Sequence, residues 1–413
     1  MNVSSVEFVA AVLAAASVFF YLPSVGLRQT VFACGNALAV WLLLPNAWSA
    51  AALAVFLLSG YLVARVLAAR PSRAVLAGYL AMLVAAFVVL KQYDFLRFLL
   101  PGPVLAHPVR IVGLSYMLFR QIHFLVDTAQ GQTGRIALWT YANYQLNLFG
   151  LLSGPIQRYQ AFRDQWDVLR PVLVEPGDLL QNCLRLLMGV LKIAMVAPVF
   201  YLGWSELWPV LVRGGLGTPK FLIEFLVVFY FYPMFLYFNF SGYCDIVIAA
   251  GRFFGIELPE NFDRPYLARN VLEFWTRWHM TLGFWIRDYL FMPMYKPIVE
   301  RWPRRAPRLA PLCYFAAFVV AGVWHGSTLN FLVYGVWQGV GASAVKLYEN
   351  QIVRLRGRAG LGRYLKSPSI RVAAIVLNLH FQCVSLFFFA LTDVGDAMGI
   401  LRNLWSAISG HPG

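Results

Sequence analysis

Apolar segments of nearly bilayer length recur along almost the whole chain, and no other property restricts its fold as strongly. Val6 to Leu22, Ala50 to Val63, Val75 to Leu90, Leu180 to Leu202, Phe221 to Phe240, Leu312 to Trp324 and Val372 to Leu391 are such runs. Each approaches or reaches the roughly 20 apolar residues that carry a helix across the hydrocarbon core. Shorter apolar stretches fill the gaps, so about nine to eleven spans are expected, the shortest of them re-entrant or buried in the bundle, where irregular backbone is tolerated. The chain is 60% hydrophobic and 13% charged, whereas a soluble domain carries about a quarter charged residues. It therefore reads as an all-α polytopic membrane protein. The first run follows a short start with no basic charge and no small-residue cleavage site, so it is expected to remain as a span. No tandem repeat, low-complexity tract or linker divides residues 1–413, and a single domain is expected.

The net charge of +15 is unevenly placed: Lys296 to Arg308 holds five basic residues and one acidic, and Lys346 to Arg371 holds seven and one. Basic loops beside spans mark the cytoplasmic side, which accounts for the excess without nucleic acid as a partner. With Arg65, Arg70 and Arg73 as a third cytoplasmic loop, the N terminus lies outside. Two spans then separate the last two basic loops, and the final span leads from Arg371 to an outward tail at Asp393 and Asp396. The cysteines, Cys34, Cys183, Cys244, Cys313 and Cys383, are scattered and never paired as Cys-x-x-Cys. They point to core packing, and neither to zinc nor to a disulfide framework.

Polar residues interrupt this background at a few places. Asn239-Phe-Ser-Gly-Tyr-Cys-Asp245 closes one apolar run and Pro259-Glu-Asn-Phe-Asp-Arg-Pro-Tyr266 follows, with Gly242, Gly251, Gly255, Pro259 and Pro265 breaking helices. An aspartate at a bilayer centre costs roughly 2.5 to 3.5 kcal/mol on insertion scales, so Asp245 needs a partner, Arg252 or Arg264, or a functional cavity. Ser153-Gly-Pro-Ile-Gln-Arg158 reads as a helix break at a membrane edge. Leu267 to Met292 reads as one helix with Asn270 as its N-cap and a favourable Glu273 to Arg277 pair. On it Trp275, Trp278, Leu282, Trp285 and Tyr289 recur at spacings of three and four as an aromatic face, a pattern that packing alone explains. Pro293 and Pro297 are expected to end it.

Two histidines stand out, His279 in Trp278-His and His325 in Trp324-His-Gly326. A neutral imidazole accepts and returns a proton near pH 7, and an indole beside it shields it from bulk water. Gly283, one turn beyond His279, leaves room for a substrate or a neighbouring backbone, and Gly326 removes bulk beside His325. Each histidine alone is compatible with a satisfied core residue; the pair points to chemistry. His107, lying between Pro103 and Pro108, His123 and His380 on apolar helices, and His411 in the tail carry weaker signals.

In order along the chain, Ser153-Gly-Pro-Ile-Gln-Arg158, Phe240-Ser-Gly-Tyr-Cys-Asp245, Pro259-Glu-Asn-Phe262, Phe274-Trp-Thr-Arg-Trp-His-Met-Thr-Leu282, Phe284-Trp-Ile-Arg-Asp-Tyr289 and Gly322-Val-Trp-His-Gly326 resemble the membrane-bound O-acyltransferase (MBOAT) family. They cover about residues 150 to 345; the N-terminal 110 residues are similar in hydropathy only. The resemblance is best to the bacterial branch of teichoic-acid D-alanyl transfer (DltB) and alginate O-acetylation (AlgI), and the run from Trp278 to Met292 leans towards the former. It implies a bundle of about eleven transmembrane helices with re-entrant segments around a central tunnel. It implies His325 as the base and His279 as its essential companion, with Arg277, Trp278, Trp285, Trp324, Asp245 and Asn261 binding substrate. It further implies no metal, no permanently bound cofactor, and a cytoplasmic thioester donor, either a phosphopantetheinyl carrier protein or acyl-CoA. The acceptor is then a hydroxyl of an extracytoplasmic cell-envelope polymer or partner protein, and the location a cell (inner or cytoplasmic) membrane. Two readings from other classes stay open on the residues alone. One is a proton-coupled transporter or flippase using His279, Asp245 and His325 as a relay, against which stands the lack of an internal two-fold repeat. The other is a non-catalytic scaffold.

Overall fold

A computed structural model describes residues 5–93, 98, 113–171, 175–215, 217–391 and 393–409, and leaves the Val6 side chain undescribed. Among these residues the secondary structure is helical, with a single isolated antiparallel bridge between Phe262 and Trp278. All seven apolar runs lie on helices. Six helices among the described residues are long and apolar enough to cross a membrane: Ala47–Ala69, Arg73–Lys91, Pro176–Arg213, Thr218–Phe253, Ala306–His325 and Pro368–Ala390. The wider expectation of nine to eleven counted runs shorter than a full crossing. Contacts gather the chain into two compact units interleaved in sequence, Met1–Leu191 with Ser241–Glu260, and Lys192–Phe240 with Asn261–Gly413.

In the first unit, helices α1 (Val6–Tyr21), α2 (Val25–Leu43), α3 (Ala47–Ala69) and α4 (Arg73–Lys91) each start at a small polar cap. Ser5, Ser24, Asn46 and Ser72 accept from the N–H three residues on, at 3.2, 3.3, 2.9 and 3.4 Å, a contact typically worth about 1 kcal/mol. Helices α5 (Leu114–Ala129), α6 (Leu138–Gln145) and α7 (Tyr159–Asp167) enclose a buried polar network. Arg120 donates to the carbonyls of Tyr144 and Gln145 at 3.1 and 2.9 Å, the Tyr141 hydroxyl to Gln121 at 2.6 Å, and the Tyr144 hydroxyl to the Gln157 carbonyl at 3.0 Å. Residues 154–157 are buried. The Gly-Pro stretch is the expected helix break, between Leu151 and Tyr159, and it is a buried loop whose Gln157 carbonyl accepts from the Tyr144 hydroxyl. Helix α8 (Pro176–Leu191) packs on the Ser241–Glu260 segment, where a Cβ at Gly189 would come within 2.7 Å of the Gly242 carbonyl.

In the second unit, a π-helical turn (Lys192–Val196) leads into α9 (Ala197–Arg213), followed by α10 (Thr218–Phe253), whose residues up to Phe240 belong here. Helices α11 (Val271–Trp275), α12 (Met280–Ile286) and α13 (Met292–Arg301) precede α14 (Ala306–His325), α15 (Leu329–Lys366), α16 (Pro368–Ala390) and α17 (Val394–Ser409). The most extensive helix contact is between α14 and α15, and glycines set its closeness. A Cβ at Gly322 would lie 2.5 Å from the Gly335 Cα, and one at Gly339 would lie 3.0 Å from the Phe315 carbonyl. Small residues spaced by four let helices approach closely where lipid offers no hydrophobic drive. The expected tail folds as α17, packed on α9 through Trp204, Leu211, Ala397 and Ile400. Its apolar face is too large to leave unpaired. Pro293 and Pro297 do not end a helix either: Pro293 occupies the first turn of α13, where its missing N–H costs nothing, and Pro297 lies inside it.

Candidate active site

The segment expected to be one helix, Leu267 to Met292, is broken twice, at residues 268–270 and 276–279, and changes to a π-helical turn near its end. A 3-10 turn (Pro265–Leu267) precedes α11, and α11 stops at Trp275 after one turn; α12 starts at Met280, and a π-helical turn (Arg287–Phe291) follows. Asn270 caps α11 as expected, its side chain accepting from the Glu273 N–H at 2.8 Å, and Glu273 pairs with Arg277 at 2.8 Å and with Arg269 at 2.6 Å. Between the two helices His279 takes a left-handed backbone, φ 44° and ψ 51°. An L-residue with a Cβ is disfavoured there by roughly 1 to 2 kcal/mol, and such strain persists only where surroundings impose it.

Those surroundings are visible. Asn261 to Asp263 pairs antiparallel with Arg277 to Met280: the Asp263 N–H donates to the Arg277 carbonyl at 2.9 Å and the Met280 N–H to the Asn261 carbonyl at 3.0 Å. The Asn261 side chain accepts from the Thr281 N–H at 3.1 Å and the Thr281 hydroxyl at 2.7 Å, so it caps α12 from outside that helix. Gly283 does not leave room for substrate. A Cβ there would lie 2.5 Å from the Trp275 carbonyl, so the position serves the alternative expected of it, close approach of a neighbouring backbone. The aromatic face dissolves with the helix. Trp278 stacks on Phe274 at 5.6 Å and meets Phe262, Tyr237, Phe240 and Tyr266, while Trp275 turns the other way and donates its indole N–H to Gln338 at 3.1 Å. Trp285 is buried against Tyr289 at 5.6 Å.

His279 is buried, with the Phe240 ring edge-on at 4.9 Å. His325 lies close enough for the two imidazoles to interact electrostatically. It is the last residue of α14, and its ring meets Trp324 at 4.7 Å, Phe389 at 5.4 Å and Tyr334 at 5.7 Å. Gly326 continues as extended backbone, and a Cβ there would overlap the Phe331 ring. The last turn of α14 is thus fixed by glycine contacts with α15, and its imidazole by aromatic edges.

The fold therefore gathers His279, His325, Asn261, Arg277, Trp278, Trp285 and Trp324 in the second unit, while Asp245 belongs to the first. Neither expected partner holds Asp245: Arg185 of α8 does, at 3.1 Å, and the same guanidinium reaches Glu260 at 2.6 Å. Sequence distance hid this contact, whereas the nearby Arg252 faces Glu257 at 4.0 Å. His123 bonds the Tyr144 hydroxyl inside the first unit, and His380 donates from Nδ1 to the Val376 carbonyl and bonds the Tyr230 hydroxyl through Nε2, each at 2.8 Å. His107 and His411 lie outside the described residues. Among the described residues no cluster of three His, Cys, Asp or Glu is arranged to hold a metal, and the cysteines are free thiols. Sequence reading missed Gln338, which also donates to Gln382 and Ser385 at 2.7 Å each. Only its polarity inside an apolar run, four residues after Tyr334, signals it.

The description of the membrane-bound O-acyltransferase family matches residues 86–390. Similar proteins include a teichoic acid D-alanyltransferase of Bacillus subtilis, 27% identical over 81% of this chain and 82% of its own, and one of Streptococcus thermophilus, 28% identical over 72% and 70%. A probable alginate O-acetylase, AlgI, of Pseudomonas fluorescens is 26% identical over 57% of this chain and 45% of its own. With a helical, multi-pass architecture and a family match over most of its length, this chain belongs to the membrane-bound O-acyltransferase family and is a membrane acyltransferase.

Proposed function

We propose that the protein moves an acyl group, D-alanyl in preference to acetyl, from a cytoplasmic thioester donor to a hydroxyl of an extracytoplasmic cell-envelope polymer or partner protein. The residues of both units serve one acyltransferase domain in a cytoplasmic membrane. A phosphopantetheinyl carrier protein suits the donor better than acyl-CoA, because the D-alanyltransferases of Bacillus subtilis and Streptococcus thermophilus match over most of both chains and the O-acetylase over about half. The observation that carries the reaction is the convergence of two imidazoles from separate segments, one buried on strained backbone and one half-buried at a helix end fixed by glycines.

His325 takes the proton of the acceptor hydroxyl. The oxygen attacks the thioester carbonyl carbon, a C–O bond forms, the C–S bond breaks, and the imidazolium returns the proton to the departing thiolate. The carbonyl end of α14 at His325 favours the positive charge the ring acquires. General base catalysis contributes typically 10²- to 10⁴-fold, and a water-poor site limits hydrolysis of the thioester. His279 orients the donor or stabilises the developing oxyanion, with Trp278, Trp285, Trp324 and Arg277 shaping the wall and Asn261 holding the His279 turn. Asp245, tied to Arg185, supports the first unit.

Membranes containing His325→Ala at normal abundance are assayed with a D-alanyl-loaded carrier and with acetyl-CoA. Transfer from the carrier, lost in the variant by about 10² or more, supports the reading. Undiminished transfer removes His325 from the chemistry, and transfer from acetyl-CoA alone makes the chain an O-acetyltransferase.

A further inference from the structure

On the second unit a cavity of about 620 Å³ opens between α15 and α16. Val345, Ile352, Leu361, Leu365, Leu377 and Phe381 form its apolar walls. Gly357 makes the cavity possible: its left-handed backbone, φ 67°, folds α15 over, so that Ile352 before the bend and Leu361 and Leu365 after it line the same space. Leu377, on the open rim of the cavity, and Leu355, on the neighbouring outer surface, are each 73% exposed, a degree of apolar exposure that suits lipid and not water.

The mouth is cationic. Arg269 is neutralised by Glu273, and Glu349 by Lys346 at 3.1 Å. Arg371, which also lines the cavity, has no carboxylate within ion-pair distance among the described residues. Arg363 and Lys366 lie on the same limb. The rings of Tyr348 and Tyr364 meet edge-on at 5.7 Å beside it, the amphipathic pair expected at a headgroup level.

We propose that this cavity is a binding site for an anionic phospholipid, with an acyl chain between α15 and α16 and the headgroup phosphate at Arg371. A basic pocket between membrane helices on the side marked by basic loops has the chemistry for such a headgroup. The lipid joins residues 358–366 to α16 and so braces the bend at Gly357. The site is separate from the histidine chemistry, and its failure leaves the acyl-transfer reading untouched.

The test uses the full-length protein in detergent, with phosphatidylglycerol and phosphatidylcholine of identical chains as probes and retention measured by native mass spectrometry. Wild type is expected to prefer phosphatidylglycerol about fivefold. Arg371→Gln abolishes the preference; Ala344→Trp, which fills the cavity from a wall position, abolishes retention of both lipids; Arg358→Gln, on the same limb outside the cavity lining, changes neither. Equal retention of the two lipids, an unaffected Arg371→Gln, retention by Ala344→Trp, or equal loss in Arg358→Gln overturns the proposal. Displacement by glycerol phosphate as effective as by whole lipid overturns it too, since the site would then recognise phosphate without a chain.

Discussion

At the scale of single residues, the left-handed backbone of His279 separates chemistry from conformation. Glycine tolerates that conformation and alanine does not. His279→Gly is therefore expected to unfold at a higher temperature than His279→Ala, by the equivalent of about 1 kcal/mol, while both lose the imidazole and its contribution to transfer. Equal thermal unfolding of the two in detergent would contradict the left-handed turn. Asn261→Ala removes both bonds to Thr281 and leaves a buried N–H without its acceptor, a loss of about 1 to 3 kcal/mol. Transfer per folded molecule should drop although both histidines remain, and Thr281→Val, which keeps the N–H bond, should cost less.

Glu273 gives the site segment a pH dependence. Burial raises its pKa, but hydrogen bonds from Arg269 and the charges of Arg269 and Arg277 outweigh that and hold the carboxyl below its usual value. A carboxyl depressed in the folded state adds stability above its unfolded pKa, and that stability fades as pH falls through the folded value. Acidification below about pH 4 is expected to lower thermal stability less in Glu273→Gln than in wild type; parallel melting curves would deny the carboxyl this part.

At the scale of elements, the crossing of α14 and α15 positions His325. A Cβ at Gly335 would lie 2.8 Å from the Phe318 carbonyl and 2.9 Å from the Gly322 Cα, contacts with backbone that no rotamer change relieves. Gly335→Leu should separate the helices, cost about 1 to 3 kcal/mol or more, and reduce transfer through displacement of the imidazole. Normal melting with normal activity would mean that the crossing does not fix the site. The hydrogen bonds of Gln338 to Trp275, Gln382 and Ser385 tie α11, α15 and α16 together. They join the segment that carries His279 to the helix whose earlier turn, at Tyr334, touches His325.

At the scale of the whole molecule, α14 has 20 residues, about 30 Å of helix, long enough to put its two ends on opposite sides of a bilayer. The basic stretch before it predicts that Arg304 faces the cytoplasm. In a chain with its native cysteines replaced, Arg304→Cys is expected to react with a membrane-impermeant maleimide only after permeabilisation, and Thr328→Cys without it. The reverse pattern would invert the topology and put the thioester donor on the wrong side of the membrane.

Sequence by itself determined the membrane class, the helical content and the α11 cap at Asn270, because these follow from composition and local capping, and residue chemistry singled out the two histidines as candidates. It marked the basic stretches for the same reason. Tertiary structure alone decided that Leu267 to Met292 is broken, since antiparallel pairing with Asn261 to Asp263 and the closeness of Gly283 to Trp275 override local helix preference. It also decided that Asp245 pairs with Arg185, 60 residues away, and that α17 packs as a helix. In each case the deciding contact comes from residues distant in the chain, and an apolar or charged side chain carries no sign of which distant partner will satisfy it.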